Sequence, residues 1–162
     1  MKRTSCVTNL CVGLLFALGA CSDGVATATA DPPSGDVPTG PFQLTFQGDA
    51  SFQDPHGGQA ITVALVRMSD GAVVAGETGI VSAGADPTFS FTFSGLLVVG
   101  VAYEVHYWID SNFDGGIAGA CDPTENDHQW NVAVAAVTAD VTIAEVHDAA
   151  NTVDVCTTFA TP

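Results

Sequence analysis

Positive charge is nearly missing from this chain. Three of its 162 residues are lysine or arginine, against 18 aspartates and glutamates, for a formal net charge of −15. Lys2 and Arg3 sit at the extreme N-terminus, so a chain beginning at Cys21 sets Arg67 alone against the 18 acids, a side-chain charge of −17. Such a surface repels phosphate backbones and bare anionic lipid, which excludes nucleic acid as a partner. Long runs of Glu, Lys, Leu and Arg at helical period are also lacking, and with them the signature of a helical bundle. There is no CxxC pair and no GxSxG elbow, so neither a zinc ribbon nor a serine hydrolase is indicated. The single long apolar run, from Val7 to Leu18, has its densest part at Val12–Leu18 and falls well short of the ~20 residues of a membrane span.

What remains is adequate for one domain. Hydrophobic residues make up 47% of the chain and charged residues 13%, enough apolar surface for a core. Phe, Val, Thr and Gly recur in short runs, which favours β-strands.

The N-terminus is an address. A charged start, a short apolar run and small residues before a cleavage point make a secretory signal over residues 1–20. Leu18-Gly19-Ala20-Cys21 resembles the lipobox of bacterial lipoproteins. That resemblance implies cleavage before Cys21, lipid on its sulfur and attachment to the membrane. Ser22 stands where that family often carries an inner-membrane retention aspartate, so the outer membrane is expected rather than the inner. The competing reading is ordinary cleavage near Ala28 or Ala30, since Ala26-Thr27-Ala28 also fits a small-x-small site. Residues 21–40, rich in Pro, Gly and small polar side chains, read as the lipidated cysteine and a flexible tether.

From residue 41 onward the pattern has period two. Phe42, Leu44 and Phe46 alternate with Gln43, Thr45 and Gln47; Ile61, Val63 and Leu65 follow after the loop Gly48–Gly58. Asp70-Gly71 marks a hairpin back through Ala72–Val81, where Gly76 and Gly79 indicate a bulge or an edge position. Phe89, Phe91 and Phe93 form a further row, then Val101, Tyr103, Val105, Tyr107 and Ile109. Trp130, Val132 and Val134, the run Val141–Val146 and the run Val153–Phe159 complete the set. The expectation is an all-β domain over residues 41–162, an immunoglobulin-like or prealbumin-like sandwich of seven or eight mostly antiparallel strands. Phe91-x-Phe93-x-x-Leu96, Gly100 and Tyr103-x-Val105 resemble the FxFxxL…GxYxV run of prealbumin-like and carboxypeptidase-regulatory-like domains. The resemblance implies an accessory or binding module with no catalytic residues of its own.

The chemistry concentrates between Tyr107 and Trp130. Asp110, Asn112 and Asp114 place oxygen donors at alternate positions, and Gly115 follows where a sharp bend would turn the Gly116 carbonyl inward. This resembles the DxNxDG half of EF-hand and dockerin loops and implies Ca²⁺. Cys121 stands where those loops have their bidentate glutamate, so Asp122, Glu125 or Asp127 would have to supply it. A plain Asx-rich turn is the alternative. Five carboxylates lie between Asp110 and Asp127, and without a cation their crowding is repulsive.

Cys121 and Cys156 are an even pair in an exported domain, which reads as a disulfide from the acidic loop to the last strand. His56, His128 and His147 are scattered in sequence; brought together they would make a three-imidazole site for copper or zinc, the alternative to calcium. Trp108 has outward parity and is a candidate stacking platform for a carbohydrate ring. Nothing marks a nucleophile with its base, so an enzyme is not expected. The whole reads as a lipid-anchored binding or structural module of the cell envelope, stabilised by calcium, facing an unidentified protein or carbohydrate ligand. Mass spectrometry of the mature chain checks the address: an acylated Cys21 at the N-terminus is expected, and an unacylated chain starting after Ala28 contradicts it.

Overall fold

The computed structural model describes residues 39–160 except Asp114 and residues 123–125. The signal, Cys21 and all but the end of the tether lie outside the described residues, as do Asp114 and Glu125 of the acidic loop. Strand β1 (Phe42–Gly48) leads into a 3₁₀ turn (Ala50–Phe52) and a single-turn helix α1 (Gln53–His56). Then come β2 (Ala60–Arg67), β3 (Ala72–Ile80), β4 (Phe89–Leu97), β5 (Tyr103–Ile109), β6 (His128–Val134), β7 (Val141–Glu145) and a short helix α2 (Cys156–Phe159).

These strands form two sheets, β4-β1-β7 and β3-β2-β5-β6, packed as an all-β sandwich. Pairing is antiparallel except for β1 with β7. The period-two rows face the interior as their alternation requires. Phe89, Phe91 and Phe93 are buried while Ser90, Thr92 and Ser94 are exposed, and Tyr103, Val105, Tyr107 and Ile109 are wholly buried. Phe46 of one sheet meets Tyr107 of the other at 5.5 Å between ring centroids, with Phe89 at 5.6 Å on its own sheet. Such tilted aromatic pairs add to the burial free energy, so this contact fixes how the sheets face each other.

Local chemistry closes the connections. At the β2–β3 turn Arg67 donates to Asp70 from Nε at 3.0 Å and from Nη2 at 2.7 Å, and Gly71 takes the left-handed φ of 69° that the turn demands. β3 is an edge strand, as its glycines indicate, and the register shift falls opposite it between Leu65 and Val66. A side chain on Gly79 would come within 3.0 Å of the Phe91 ring, which accounts for the glycine there. At the β4–β5 turn the Tyr103 hydroxyl accepts from Val98 N and donates to Leu96 O.

Two expectations need correction. The strand expected over Val153–Phe159 is absent: an isolated bridge pairs Gln129 with Thr152 just before it, and the segment ends in α2, leaving seven strands among the described residues. The reason lies in side chains that replace ladder partners: Asp154 accepts from Cys156 N, and Gln129 Oε1 accepts from Val155 N. The segment Gly48–Gly58, read as open loop, is ordered by Asp49, whose carboxylate accepts from Ser51 N at 2.9 Å and starts the 3₁₀ turn.

Cys121 and Cys156 are joined, with Cα atoms 5.4 Å apart across a sequence separation of 35, so the cross-link reaches α2 and not a strand. In the chain-entropy account a loop of this size contributes about 3–4 kcal/mol. Replacing both cysteines by serine is expected to lower the unfolding free energy by about that amount in denaturant titration; an unchanged midpoint would show that the cross-link adds nothing to the fold.

Candidate metal centre

Three histidines remote in sequence meet at one end of the sandwich. His56 ends α1, His128 opens β6 and His147 lies two residues beyond β7. Their ring centroids are 4.9 Å (His56–His128), 4.9 Å (His56–His147) and 4.8 Å (His128–His147) apart. One nitrogen from each ring lies within 4.8 Å of the other two. A triangle of that size has its centre no more than about 2.8 Å from each corner, so a contraction of under ~1 Å reaches the ~2.0–2.1 Å of a metal–imidazole bond.

Each histidine is placed by local structure. Asp49 starts the turn that carries Phe52 inward, and His56 follows one helical step later, at 1% exposure. His128 pairs with Ile109 in the β5–β6 register, so the ladder itself sets its height. The backbone N of His147 donates to Ser51 Oγ at 2.8 Å, tying the segment after β7 to the same 3₁₀ turn.

The hydrogen bonds orient the rings. The Gln59 side-chain oxygen can only accept, so the 2.8 Å contact with His56 Nδ1 puts the proton on that nitrogen and the lone pair on Nε2. His56 Nε2 is buried and has no hydrogen-bond partner. An acceptor left so costs roughly 1–3 kcal/mol unless something binds it. The Ser111 hydroxyl is 3.3 Å from the same Gln59 oxygen. On the other side Tyr107 OH lies 3.5 Å from His128 Nε2.

All three rings favour the neutral form that ligates metals. Burial pushes each pKa down; for His128 the neighbouring imidazoles add to it and the value falls to about 3. Asp148 and Asp49 pull His147 the other way without reversing the effect. Beside the rings opens a cleft of about 250 Å³, lined in part by Pro55, Phe113, Asp127, His128, His147 and Thr152.

The acidic loop has a different character. Asp110 accepts from Asn112 Nδ2 and from Gly119 N, Asp122 accepts from Ile117 N, and Asp127 accepts from Ser111 N at 3.1 Å and Asp122 N at 2.9 Å. These carboxylates hold the loop's own backbone. Two features fall outside that role: Asn112, at a left-handed φ of 51°, has a buried Oδ1 without a partner, and Gly116 leaves space into which Asp122 Oδ2 and Asn112 Oδ1 both point. Trp108 is 7% exposed and meets Phe159 of α2 edge-on at 6.4 Å, so its outward face is covered by the C-terminal segment.

No family model, curated protein or solved structure matches the chain. The reading of the site therefore rests on its geometry. The three histidines were visible as candidates in the sequence; Phe52, Gln59, Ser111 and Tyr107, which orient and bury them, were not. The one local signal was the spacing Phe52-x-x-x-His56-x-x-Gln59, which suits a single helical turn.

Burial of neutral histidine has a consequence for the metal-free protein. Below the ordinary pKa near 6.5 the unfolded chain takes up a proton that folded His128 refuses until about pH 3. Stability therefore falls as the pH drops through this window, by up to about 1.4 kcal/mol per pH unit for His128. Denaturant titrations between pH 7 and 4 are expected to show the slope and a shallower one in His128→Leu; equal slopes would contradict the assignment.

Proposed function

We propose that this is an exported transition-metal binding protein whose centre is His56, His128 and His147, with copper or zinc as the metal. One observation carries the reading: a buried, unpartnered imidazole nitrogen in a ring whose other nitrogen is held by Gln59, facing two further neutral imidazoles. A metal-ligating histidine characteristically donates its second N–H to such an acceptor. Imidazole donors favour copper and zinc over calcium or magnesium. The excess of acidic residues attracts cations toward the site. Export agrees with the disulfide, which forms and persists in oxidising compartments, and with the signal and lipobox-like tetrad. On this reading Cys21 anchors the domain to the membrane, and the tether holds it off the surface.

Calcium in the acidic loop is a second reading. The orphaned Asn112 Oδ1 and the approach of Asp122 Oδ2 toward Gly116 favour it, with Asp110 beside them. An affinity of ~10⁻⁴–10⁻³ M is expected for such an extracellular loop.

Calorimetric titration of the metal-stripped protein separates the readings. One Cu²⁺ or Zn²⁺ per chain is expected, with a melting temperature that rises on loading; saturation at a hundredfold over Kd corresponds to about 2.7 kcal/mol. His56→Ala or His128→Ala is expected to abolish uptake, while Gln59→Leu weakens it roughly 10–100-fold. Unchanged copper and zinc binding in His128→Ala would sink the triad. Calcium uptake that survives His128→Ala but is lost in Asp110→Ala would assign the second site.

A further inference from the structure

The triad supplies three ligands, and the nearby carboxylate, phenol, thiol and Gln59 groups are already engaged, leaving only the weak neutral oxygens of Asn151 and Thr152 on the cleft wall. No further His, Cys, Asp or Glu joins the cluster among the described residues. Asp127 lines the same cleft, but its oxygens accept from the backbone N–H groups of Ser111, Asn112 and Asp122. The Gln59 oxygen is bonded to His56, and Cys121 and Cys156 are joined to each other. The Tyr107 hydroxyl faces His128 Nε2 at 3.5 Å. Meanwhile the cleft of about 250 Å³ reaches His128 and His147 directly. A water molecule takes about 30 Å³ of liquid, so that space admits a ligand of several heavy atoms.

We infer that a metal held by His56, His128 and His147 keeps one coordination position open toward this cleft, and that the position takes a small neutral nitrogen or oxygen donor. The inference rests on the metal reading above and deepens it. Three protein ligands with an exchangeable fourth is the arrangement that leaves a metal accessible, in contrast to the closed four-ligand sites that only hold structure. The metal's own charge on three neutral imidazoles would draw an anion, and the preference for a neutral donor rests on the surroundings that oppose it. Besides the histidines the cleft is walled by the uncharged Pro55, Phe113, Ala149, Asn151 and Thr152 together with the carboxylate of Asp127, in a chain of net charge −15. No lysine or arginine follows Arg67, which is clamped to Asp70 at the β2–β3 turn, so no cationic side chain in the cleft wall would welcome an anion. Water fills the position until a stronger neutral donor displaces it.

The test uses the mature protein loaded with one equivalent of Cu²⁺, at low ionic strength, titrated with imidazole and separately with azide. Visible and electron paramagnetic spectra report the copper coordination, and filtration reports whether the copper stays bound. A saturable spectral shift with imidazole is expected while copper is retained, with azide requiring a higher concentration. Ala149→Trp, at an exposed residue that lines the cleft and is not one of the three ligands, is expected to keep copper affinity and raise the half-saturating imidazole concentration roughly tenfold, about 1.4 kcal/mol. Copper bound one to one with a spectrum that neither probe moves overturns the proposal, because the chain then fills the fourth position. Azide binding more tightly than imidazole overturns the preference for neutral donors, and an Ala149→Trp protein indistinguishable from wild type overturns the cleft as the route. A protein that takes up no copper or zinc fails at the earlier step and removes the metal reading itself.

Discussion

The ring of Phe52 joins the core of the sandwich to its histidines. It is wholly buried, and it meets Phe89 at 5.2 Å and Tyr107 at 6.4 Å on the core side. On the other side it meets His147 at 5.4 Å and His56 and His128 at 6.2 Å each. A residue with those neighbours cannot shift without disturbing both the packing between sheets and the spacing of the triad. Its own position depends on Asp49, whose cap starts the turn immediately after β1. The register of β1 between β4 and β7 thus passes through four residues to the imidazoles. The site is held by the core, which is what a preorganised set of ligands requires.

Desolvation is what this arrangement costs and what makes it useful. Three imidazoles packed within 5 Å ring to ring could not all carry charge, and burial removes the water that would stabilise them. The result is a set of neutral donors in a strongly acidic protein, where histidines near carboxylates would otherwise hold their protons more tightly. Asp148 and Asp49 supply that opposing field at His147, the least buried of the three, and the field is outweighed. On the proposed metal reading, a cation entering the site would gain from both sides, from lone pairs ready to bind and from a negative surface beyond them.

The strands were legible because period two leaves one face no alternative. Phe89, Phe91 and Phe93 or Tyr103, Val105 and Tyr107 can bury only together, and each row lies where its alternation puts it. The disulfide followed from the cysteine count and from the export that the N-terminus led one to expect. The C-terminal strand failed for a definite reason: Val153–Phe159 has the composition of a strand, but Gln129 and Asp154 satisfy its backbone locally, and the chain closes in the short helix α2. The triad was harder. Its members are separated by 72 and 19 residues, no spacing rule links them, and only the fold brings them together. The sequence placed the chemistry in the acidic loop because five carboxylates are conspicuous, whereas a buried nitrogen without a partner is a property of three dimensions.

That loop has a part to play even so. Ile109 and His128 are paired across β5 and β6, so a two-residue turn could have joined them, yet residues 110–127 intervene. The intervening chain builds the surroundings of the triad. Ser111 reaches Gln59, the residue that orients His56, and Phe113 lies 6.1 Å from the His56 ring. Asp127 gathers the loop's two ends by accepting from Ser111 and Asp122, and stands next to His128 in the chain. The cross-link from Cys121 to Cys156 then fastens this cover to the segment that Gln129 already holds. The carboxylates that suggest a metal loop act, in this geometry, first as internal hydrogen-bond acceptors of this cover. Through Ser111 and Phe113 this cover reaches the side of His56 where Gln59 sets its tautomer.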